Sequence, residues 1–446
     1  MNTLYHPDTH DTDRPAGSYW AASAGPAPTG WKKMNGDETC EVAIIGAGYT
    51  GLSAALHLAR LGIDVRVVDA GPPGGGASGR NGGFCCIGAV KLSDQAMIRQ
   101  FGLDEAKRFY ASQREAVALV RALIDEEGIA ADPQGDGMLE VAHRPSRVDA
   151  MKATAEFNTD TLDLPTRFLE RDELVERGFA GREAHGGLHF ADGFGLHPLK
   201  YLHGLLEAVL REGVPVHPRT RVIGWKKVGS THRLITRGGS VRARQVLIAT
   251  NGYTDDALHP AMAGVALPVI SSIVTTEPLS EDERGKLGWT TETPLWDSRT
   301  LLHYGRLLPD GRLLLGGRGD TVGGKAGQAA ATAHITRWFH GQFPDWAMPP
   351  ISHAWSGLAC ISARRTPMVG ALAADPSVFH ALAYHGNGVA TGTWAGQAVA
   401  ALIAGGDPAE ILPAVVAQPP KRFALPALRR WTLRAAFMAY GLRDRI

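Results

Sequence analysis

At 446 residues the chain exceeds one ordinary core and fits two domains that share it. Its 44% hydrophobic and 20% charged residues are ordinary for a globular protein, and a net charge of +1 leaves no electrostatic footprint for nucleic acid or an acidic partner. No uncharged apolar run approaches the roughly 20 residues of a membrane span, and the opening residues lack the apolar core of a signal peptide, so the expected location is the cytoplasm. Cys40, Cys85, Cys86 and Cys360 match neither a disulfide framework nor a zinc ribbon. His6 and His10 show helical metal-ligand spacing but lie in the leader, no other cluster supports a metal, and none is expected.

In chain order, residues 1–38 read as an irregular leader with Trp20 and Trp31 as anchors. Glu41–Ile45 is a short apolar strand running into Gly46-Ala47-Gly48-Tyr49-Thr50-Gly51, then a helix whose apolar face is Leu52, Ala55, Leu56 and Ala59. A second strand, Val65–Val68, ends in Asp69-Ala70. The three glycines do different things. Gly46 makes the tight turn, Gly48 lets a pyrophosphate approach the backbone, and Gly51 lets helix and strand pack closely. The helix start turns its amides and the positive end of its dipole to the pyrophosphate. Asp69, roughly 20 residues on, is placed to accept hydrogen bonds from a ribose. Strand, glycine turn, helix, strand and carboxylate together specify a dinucleotide site.

The next segment, Gly74–Gly83, is nearly all glycine, small or polar and leaves little side chain for a core. It suits wrapping an extended ligand with its amides and with Ser78, Arg80 and Asn81, which favours FAD over NAD. Residues 100–128 form a helical stretch with Phe101, Phe109, Val117, Val120 and Ile124 largely on one face. A helix at Pro198–Glu212 precedes two strands, the second of which, Gln245–Thr250, runs into Asn251-Gly252. Residues 256–350 are richer in short strands, turns and aromatics, as a sheet over a substrate pocket would be. His380–Gly405 returns to a strand, a glycine turn and an apolar helix. In the basic tail from Pro419, Arg429, Arg430 and Arg434 share a helix with Leu428, Trp431 and Phe437, which reads as a helix packed on the body.

These motifs resemble the D-amino-acid-oxidase-like FAD oxidoreductases, nearest the glycine-oxidase, sarcosine-oxidase and gamma-glutamylputrescine-oxidoreductase branch. The resemblance runs from about Ser18 to Gly405. It is carried by GAGYTGLSAALHLA at 46–59, ASGRNGGF at 77–84, GLHPLKY at 195–201 and VLIATNGYT at 246–254, then by WSGL and YHGNGV. It implies an α/β protein, α+β overall. A Rossmann-like FAD-binding domain (39–98, 186–255 and 352–410) would carry a substrate domain built on a mostly antiparallel β-sheet (99–185 and 256–351). The leader 1–38 would precede them and a helical tail, 411–446, would follow. The implied FAD contacts are Gly46, Ala47, Gly48, Tyr49, Thr50 and Gly51 in the turn, Asp69 and Ala70 after the second strand, and Ser78, Gly79, Arg80, Asn81, Gly82 and Gly83 in the loop. Val222, with Arg221, is expected on a strand near the adenine, and Thr250, Asn251 and Gly252 at a strand end bordering the cofactor. Gly386, Asn387, Gly388 and Val389 would open the last helix, whose dipole would stabilise the negative charge of reduced flavin near N1 and O2.

No second GxGxxG follows a strand, since Gly317-Arg318-Gly319 has Val322 where the third glycine should stand. Electrons are therefore expected to pass from substrate to flavin and on to oxygen or a carrier. The implied reaction is hydride transfer from the carbon beside a neutral amine nitrogen to flavin N5, followed by imine hydrolysis. In the glycine-oxidase pattern, arginines that bind a substrate carboxylate stand where this chain has Ala359 and Gly386. The expected substrate is accordingly a small amine, gamma-glutamylputrescine-like or secondary, without a nearby carboxylate. A quinone-linked amino-acid dehydrogenase and a non-catalytic flavin module are the alternatives. The lysine that assists oxygen in sarcosine-oxidase-like members has no counterpart in Arg312–Gly316, and Cys360 stands about one position out of register with the cysteine that carries a covalent flavin there. Non-covalent FAD is expected. The catalytic candidates are His303 and Tyr304 as an aromatic pair above the flavin, His385 near its edge, and Arg80. Trp296, Trp355 and Trp394 are candidates for a cation-holding wall.

Overall fold

The computed structural model describes residues 4–13 and 17–444. Val42, Ala43 and Ile44 are wholly buried, as a central parallel strand covered on both faces requires. Their strand, Glu38–Ile45, lies parallel to Val65–Val68 on one side and to Ser240–Ile248 on the other. Asp375–Leu382 and Val216–His217 extend the sheet in parallel at its two sides, and Met368–Leu372 closes one edge antiparallel. The hairpin strands Gly224–Val228 and Thr231–Ile235 branch from Ser240–Ile248. Parallel neighbours need crossover connections, which is why one sheet gathers strands from such distant parts of the chain.

Two helices on this sheet bring the early and late glycine motifs together. Tyr49–Arg60 packs against Ala390–Ile403 at small residues: a Cβ on Gly396 would lie 2.4 Å from the Thr50 carbonyl oxygen, and Ser53 Oγ donates to Thr393 O at 2.7 Å. Leu52, Leu56 and Leu58 are fully buried beneath, each contributing about 1.5–3 kcal/mol. The helical stretch near 100–128 is two helices, Asp94–Phe101 and Leu103–Glu127, separated by Gly102 at φ 89°. Glycine alone adopts that conformation without strain.

The second sheet runs in the order Ile351–Ser362, Ala266–Thr276, Leu313–Arg318, His303–Leu307, Leu295–Asp297, Met138–Val141, Gly187–Phe190, Thr166–Leu169. Every pairing is antiparallel except that of Leu295–Asp297 with Met138–Val141. Gly187–Phe190 and all but the first residue of Ile351–Ser362 come from segments that the sequence assigns to the cofactor unit. They join this sheet because each pairs along its length with a strand already in it. Successive residues of a strand face opposite sides, and here the two sides differ. Leu139, Val141, Val274, Leu295, Leu307, Leu313 and Leu315 pack with Ile335, Trp338 and Phe339 of the helix Gly324–Gln342. Glu140, Trp296, Tyr304, Gly316, Ile273 and Trp355 are successive cross-strand partners in one row on the other face.

The tail ends in a helix, Arg429–Arg443, docked on this second sheet's flank. Arg429 is buried and donates to Ala266 O at 2.6 Å and to the Asp256 carboxylate, while Asp444 accepts the backbone N–H groups of Thr300 and Leu301 at 2.8 Å. Among the described residues no helix is long and apolar enough to cross a membrane.

Candidate active site

A single cavity of about 1550 Å³ extends from the first glycine turn to the row of residues on the second sheet. It exceeds the roughly 300–1000 Å³ of a site for a drug-sized ligand, so it has room for a longer ligand and a small second one. Two helices begin on it without a side-chain cap: Tyr49–Arg60 after Gly48, and Ala390–Ile403 after Val389. A helix start leaves backbone N–H groups without partners, and an anion is their natural complement.

The backbone around the first start is as tight as a dinucleotide turn demands. Gly46 has φ 113°, and a Cβ there would lie 2.6 Å from the Ala249 carbonyl oxygen. At Gly51 a Cβ would lie 1.8 Å from the Gly46 carbonyl oxygen. Asp69 accepts from Ala47 N at 2.7 Å and Gly71 N at 2.8 Å. A carboxylate offers about four acceptor positions, so two remain for ribose hydroxyls. These residues fit a pyrophosphate-bearing dinucleotide.

The loop after Gly74 holds itself in place with its own polar groups. Tyr49 N donates to Ser78 Oγ at 3.2 Å, Tyr49 OH to Ser78 O at 2.8 Å, and Asn81 Nδ2 to Ser78 O at 3.0 Å. Trp20 of the leader, 1% exposed, donates its indole N–H to Asn81 O at 2.8 Å. Arg80 Nε donates to Gly75 O at 2.8 Å and Nη2 to Asp11 O at 3.0 Å, so its guanidinium fastens leader to loop.

Of the expected cofactor residues, Gly46, Ala47, Gly48, Tyr49, Thr50, Asp69, Ala70, Ser78, Arg80, Asn81, Gly82, Val222, Thr250, Asn251, Gly252, Gly386, Asn387, Gly388 and Val389 line the cavity. Gly51, Gly79 and Gly83 lie behind it, where close backbone contacts exclude a side chain: a Cβ on Gly79 would lie 2.2 Å from Gly74 O, and one on Gly83 2.1 Å from Leu196 O. Arg221 and Val222 are in irregular chain before the strand Gly224–Val228, not on a strand. Asn251, at φ 42°, accepts Ala383 N through Oδ1 at 2.9 Å and so ties two strand ends at the rim.

The catalytic candidates separate. Tyr304 faces the cavity; its hydroxyl hydrogen-bonds Ser271 Oγ at 3.0 Å, and burial pushes its phenol up to about 12. His303 is adjacent on the strand and therefore faces away, correcting its placement above the flavin. Its Nδ1 meets Asp297 at 3.2 Å, its Nε2 meets His334 at 3.0 Å, and its ring stacks on Trp338 at 5.2 Å beneath the helix Gly324–Gln342. His385 lines the cavity with φ 54°; burial lowers it to about 3, and its Nδ1 has no partner. Of the three tryptophans only Trp296 lines the cavity. Trp355 donates to Arg80 O at 2.9 Å, and Trp394 is buried on the helix Ala390–Ile403. Cys360 borders the cavity, but burial pushes its thiol up to about 12, away from the nucleophilic thiolate.

The sequence reading missed Lys91, Glu140 and Arg318, all on the cavity. Glu140 left one signal, a lone carboxylate inside the apolar strand Met138–Val141. Phe437, Tyr440 and Arg443 of the tail helix, with His10 and Thr12 of the leader, also reach the cavity.

A family model described as "FAD dependent oxidoreductase" (DAO) matches residues 41–402. The chain is 31% identical over 445 residues to the gamma-glutamylputrescine oxidoreductase of Escherichia coli (strain K12), covering 96% of this chain and 98% of that one. It is likewise 31% identical over 433 residues to the probable oxidoreductase OrdL of Rhizobium meliloti (strain 1021), with 96% and 98% covered. Among solved structures, glycine oxidase from Bacillus cereus ATCC 14579 superposes with a TM-score of 0.68 at 18% identity, over 86% of this chain and 99% of that one.

Proposed function

The chain belongs to the DAO family of FAD-dependent oxidoreductases, and on that premise we propose that it oxidises the C–N bond of a small amine lacking a carboxylate beside the reacting carbon. The observation that carries this reading is the cavity itself, which continues from the dinucleotide turn to the aromatic residues Trp296 and Tyr304. Ala359 and Gly386 line it where a carboxylate-binding arginine is expected for simple amino acids, and a curated relative acts, by its name, on gamma-glutamylputrescine.

Gly46–Thr50 with Asp69 would hold the pyrophosphate and ribose, and the uncapped start of Ala390–Ile403 would face the flavin end. Bound non-covalently, FAD would supply the hydride acceptor, with oxygen or a carrier as the final acceptor. Tyr304 keeps its proton at neutral pH and so offers an O–H donor in the chamber. His385, held neutral by burial, adds no positive charge to compete with an amine. Trp296 and Phe190, stacked at 5.9 Å, give the chamber an apolar wall that excludes water. Arg80 is a positioning residue, binding the leader across the loop.

A second reading, delivery of electrons to a membrane quinone, draws on the exposed Trp431, Met438 and Leu442 of the basic terminal helix. Anaerobic addition of gamma-glutamylputrescine, simple diamines and amino acids to the FAD-loaded protein tests the main reading. The visible flavin spectrum is expected to bleach with an amine and not with the α-amino acids. A spectrum unchanged by every amine would end the amine proposal, and vesicle binding with quinone-dependent turnover would favour the second reading.

A further inference from the structure

Among the charged side chains that line the cavity with no hydrogen bond or ion pair to another described residue, Lys91, Glu140 and Arg318 stand at its sheet end, while Arg365 and Arg443 line it as exposed cations. Glu140 is cross-strand neighbour to Trp296, and Trp296 to Tyr304, so carboxylate and two rings stand side by side on one face. Arg147 is the positive group that most favours the Glu140 charge, yet it forms no ion pair with it, and burial still pushes Glu140 up to about 7. Arg318 lies 4.1 Å over the Phe437 ring, with a buried Nη1 that has no partner. Lys91 is exposed and lines this cavity; removal from bulk water and the repulsion of Arg318 lower its pKa, while Glu140 favours its charge.

A group buried with its charge unmatched costs more than it returns unless something arrives to match it. The identity of that ligand is constrained by sign. A bare diamine could set its far ammonium on Glu140 but would leave Lys91 and Arg318 unmatched. A simple carboxylate would meet Glu140. Only a ligand carrying both charges satisfies all three groups, and the aromatic faces beside Glu140 suit its cationic part.

We propose that this chamber recognises an α-amino-acid head group at the end of the substrate remote from the reacting amine, with Lys91 and Arg318 binding its carboxylate and Glu140 its ammonium. The proposal rests on the amine reading above and makes Glu140, Lys91 and Arg318 specificity residues for it. The head group would be joined to the alkylamine through its side chain, which keeps its carboxylate away from the carbon that is oxidised.

The test separates binding from oxidation. Isothermal titration of the FAD-loaded protein uses γ-glutamyl-n-butylamide, which has the head group but no terminal amine, and glutaryl-n-butylamide, which lacks only the α-ammonium. Wild type is expected to prefer the first by about tenfold or more, the scale of a hydrogen bond to a charged group. Glu140→Gln should abolish that preference while leaving the glutaryl compound's affinity near its wild-type value. Lys91→Met and Arg318→Met should weaken both compounds. The coupling between residue and ligand group is the readout, and a purely structural effect of Glu140→Gln, weakening both compounds alike, would overturn the proposal. So would a wild type that binds neither. Bleaching by plain diamines without head-group binding would leave the amine function standing and remove this inference; binding without bleaching by any amine would do the reverse.

Discussion

The dinucleotide turn and the substrate chamber are both built by close approach, but they are built along different directions of the chain. In the turn, Gly46, Gly48 and Gly51 lie within six consecutive positions, and the contact that forbids a side chain at Gly51 comes from Gly46 O inside the same segment. In the chamber, Glu140, Trp296, Tyr304 and Gly316 come from four strands and meet only through the register of the sheet. Backbone geometry that one segment must satisfy by itself leaves its mark in residue type. Juxtaposition across strands leaves almost none. The tight fit at Gly316, where a Cβ would lie 2.1 Å from the Tyr304 ring, is as severe as that at Gly51, where it would lie 1.8 Å from a carbonyl oxygen.

Substitutions at those two glycines sharpen the contrast. Gly51→Ala drives a methyl into a backbone carbonyl that cannot move without opening the turn, so the purified protein should carry almost no FAD, read from its visible absorbance. Gly62→Ala in the same region, with no atom within 4 Å of the new Cβ but φ 76°, should keep its FAD and lose about 1 kcal/mol of stability. Full FAD content in Gly51→Ala would break the account of the turn. Gly316→Ala meets a side chain that can tilt, so FAD should stay bound while amine-dependent bleaching slows about 10- to 100-fold, the scale expected when a site residue moves by about an ångström. Equal FAD loss in both variants would mean that the two regions are not independent sites.

What could be read in the sequence follows the same division. The strand, turn and helix around residues 41–60, the acidic end at Asp69, and the late strand-turn-helix near 380–403 stand where their patterns put them. The two-sided second sheet was legible only as a run of short strands. His303 and Tyr304 were read as a pair because they are adjacent, yet adjacency in a strand is what sends them to opposite faces. Gly102 split a helix that apolar spacing made continuous, since spacing does not register a φ of 89°. Lys91, Glu140 and Arg318 come together from a loop and two strands, and only Glu140, a lone carboxylate in an apolar strand, left a local signal.

The terminal helix belongs to the chamber side of the comparison. Arg429→Met removes the donors to Ala266 O and the Asp256 carboxylate, interactions worth about 1.5–3 kcal/mol when charged. Phe437 and Tyr440 would then hold the chamber wall less firmly. The KM for the amine should rise several-fold, roughly in proportion to a loss of uniform binding, with FAD content unchanged. Faster proteolytic cleavage after residue 428 should accompany it. A variant that loses FAD instead would place the tail's main role on the cofactor side.

Acid should act on both regions together. Burial lowers His197 and His385 to about 3 and His380 to about 4 on the cofactor side, and His143 and His334 to about 4 on the sheet side. A histidine whose folded pKa lies below its unfolded value of about 6.5 contributes stability that is present above that value and lost as pH falls through the folded one. Each one that takes up a proton on unfolding steepens the loss by at most about 1.4 kcal/mol per pH unit. His380 has neither ring nitrogen paired, so His380→Gln should flatten the decline between about pH 6.5 and 4 by no more than one proton's worth. Hydrogen exchange of the strands Glu38–Ile45 and Leu313–Arg318, followed across that window, should show the two sheets opening at the same pH. A cofactor sheet that opens first would mean the shared cavity does not couple them, and the contrast between the regions would then extend from how they are encoded to how they unfold.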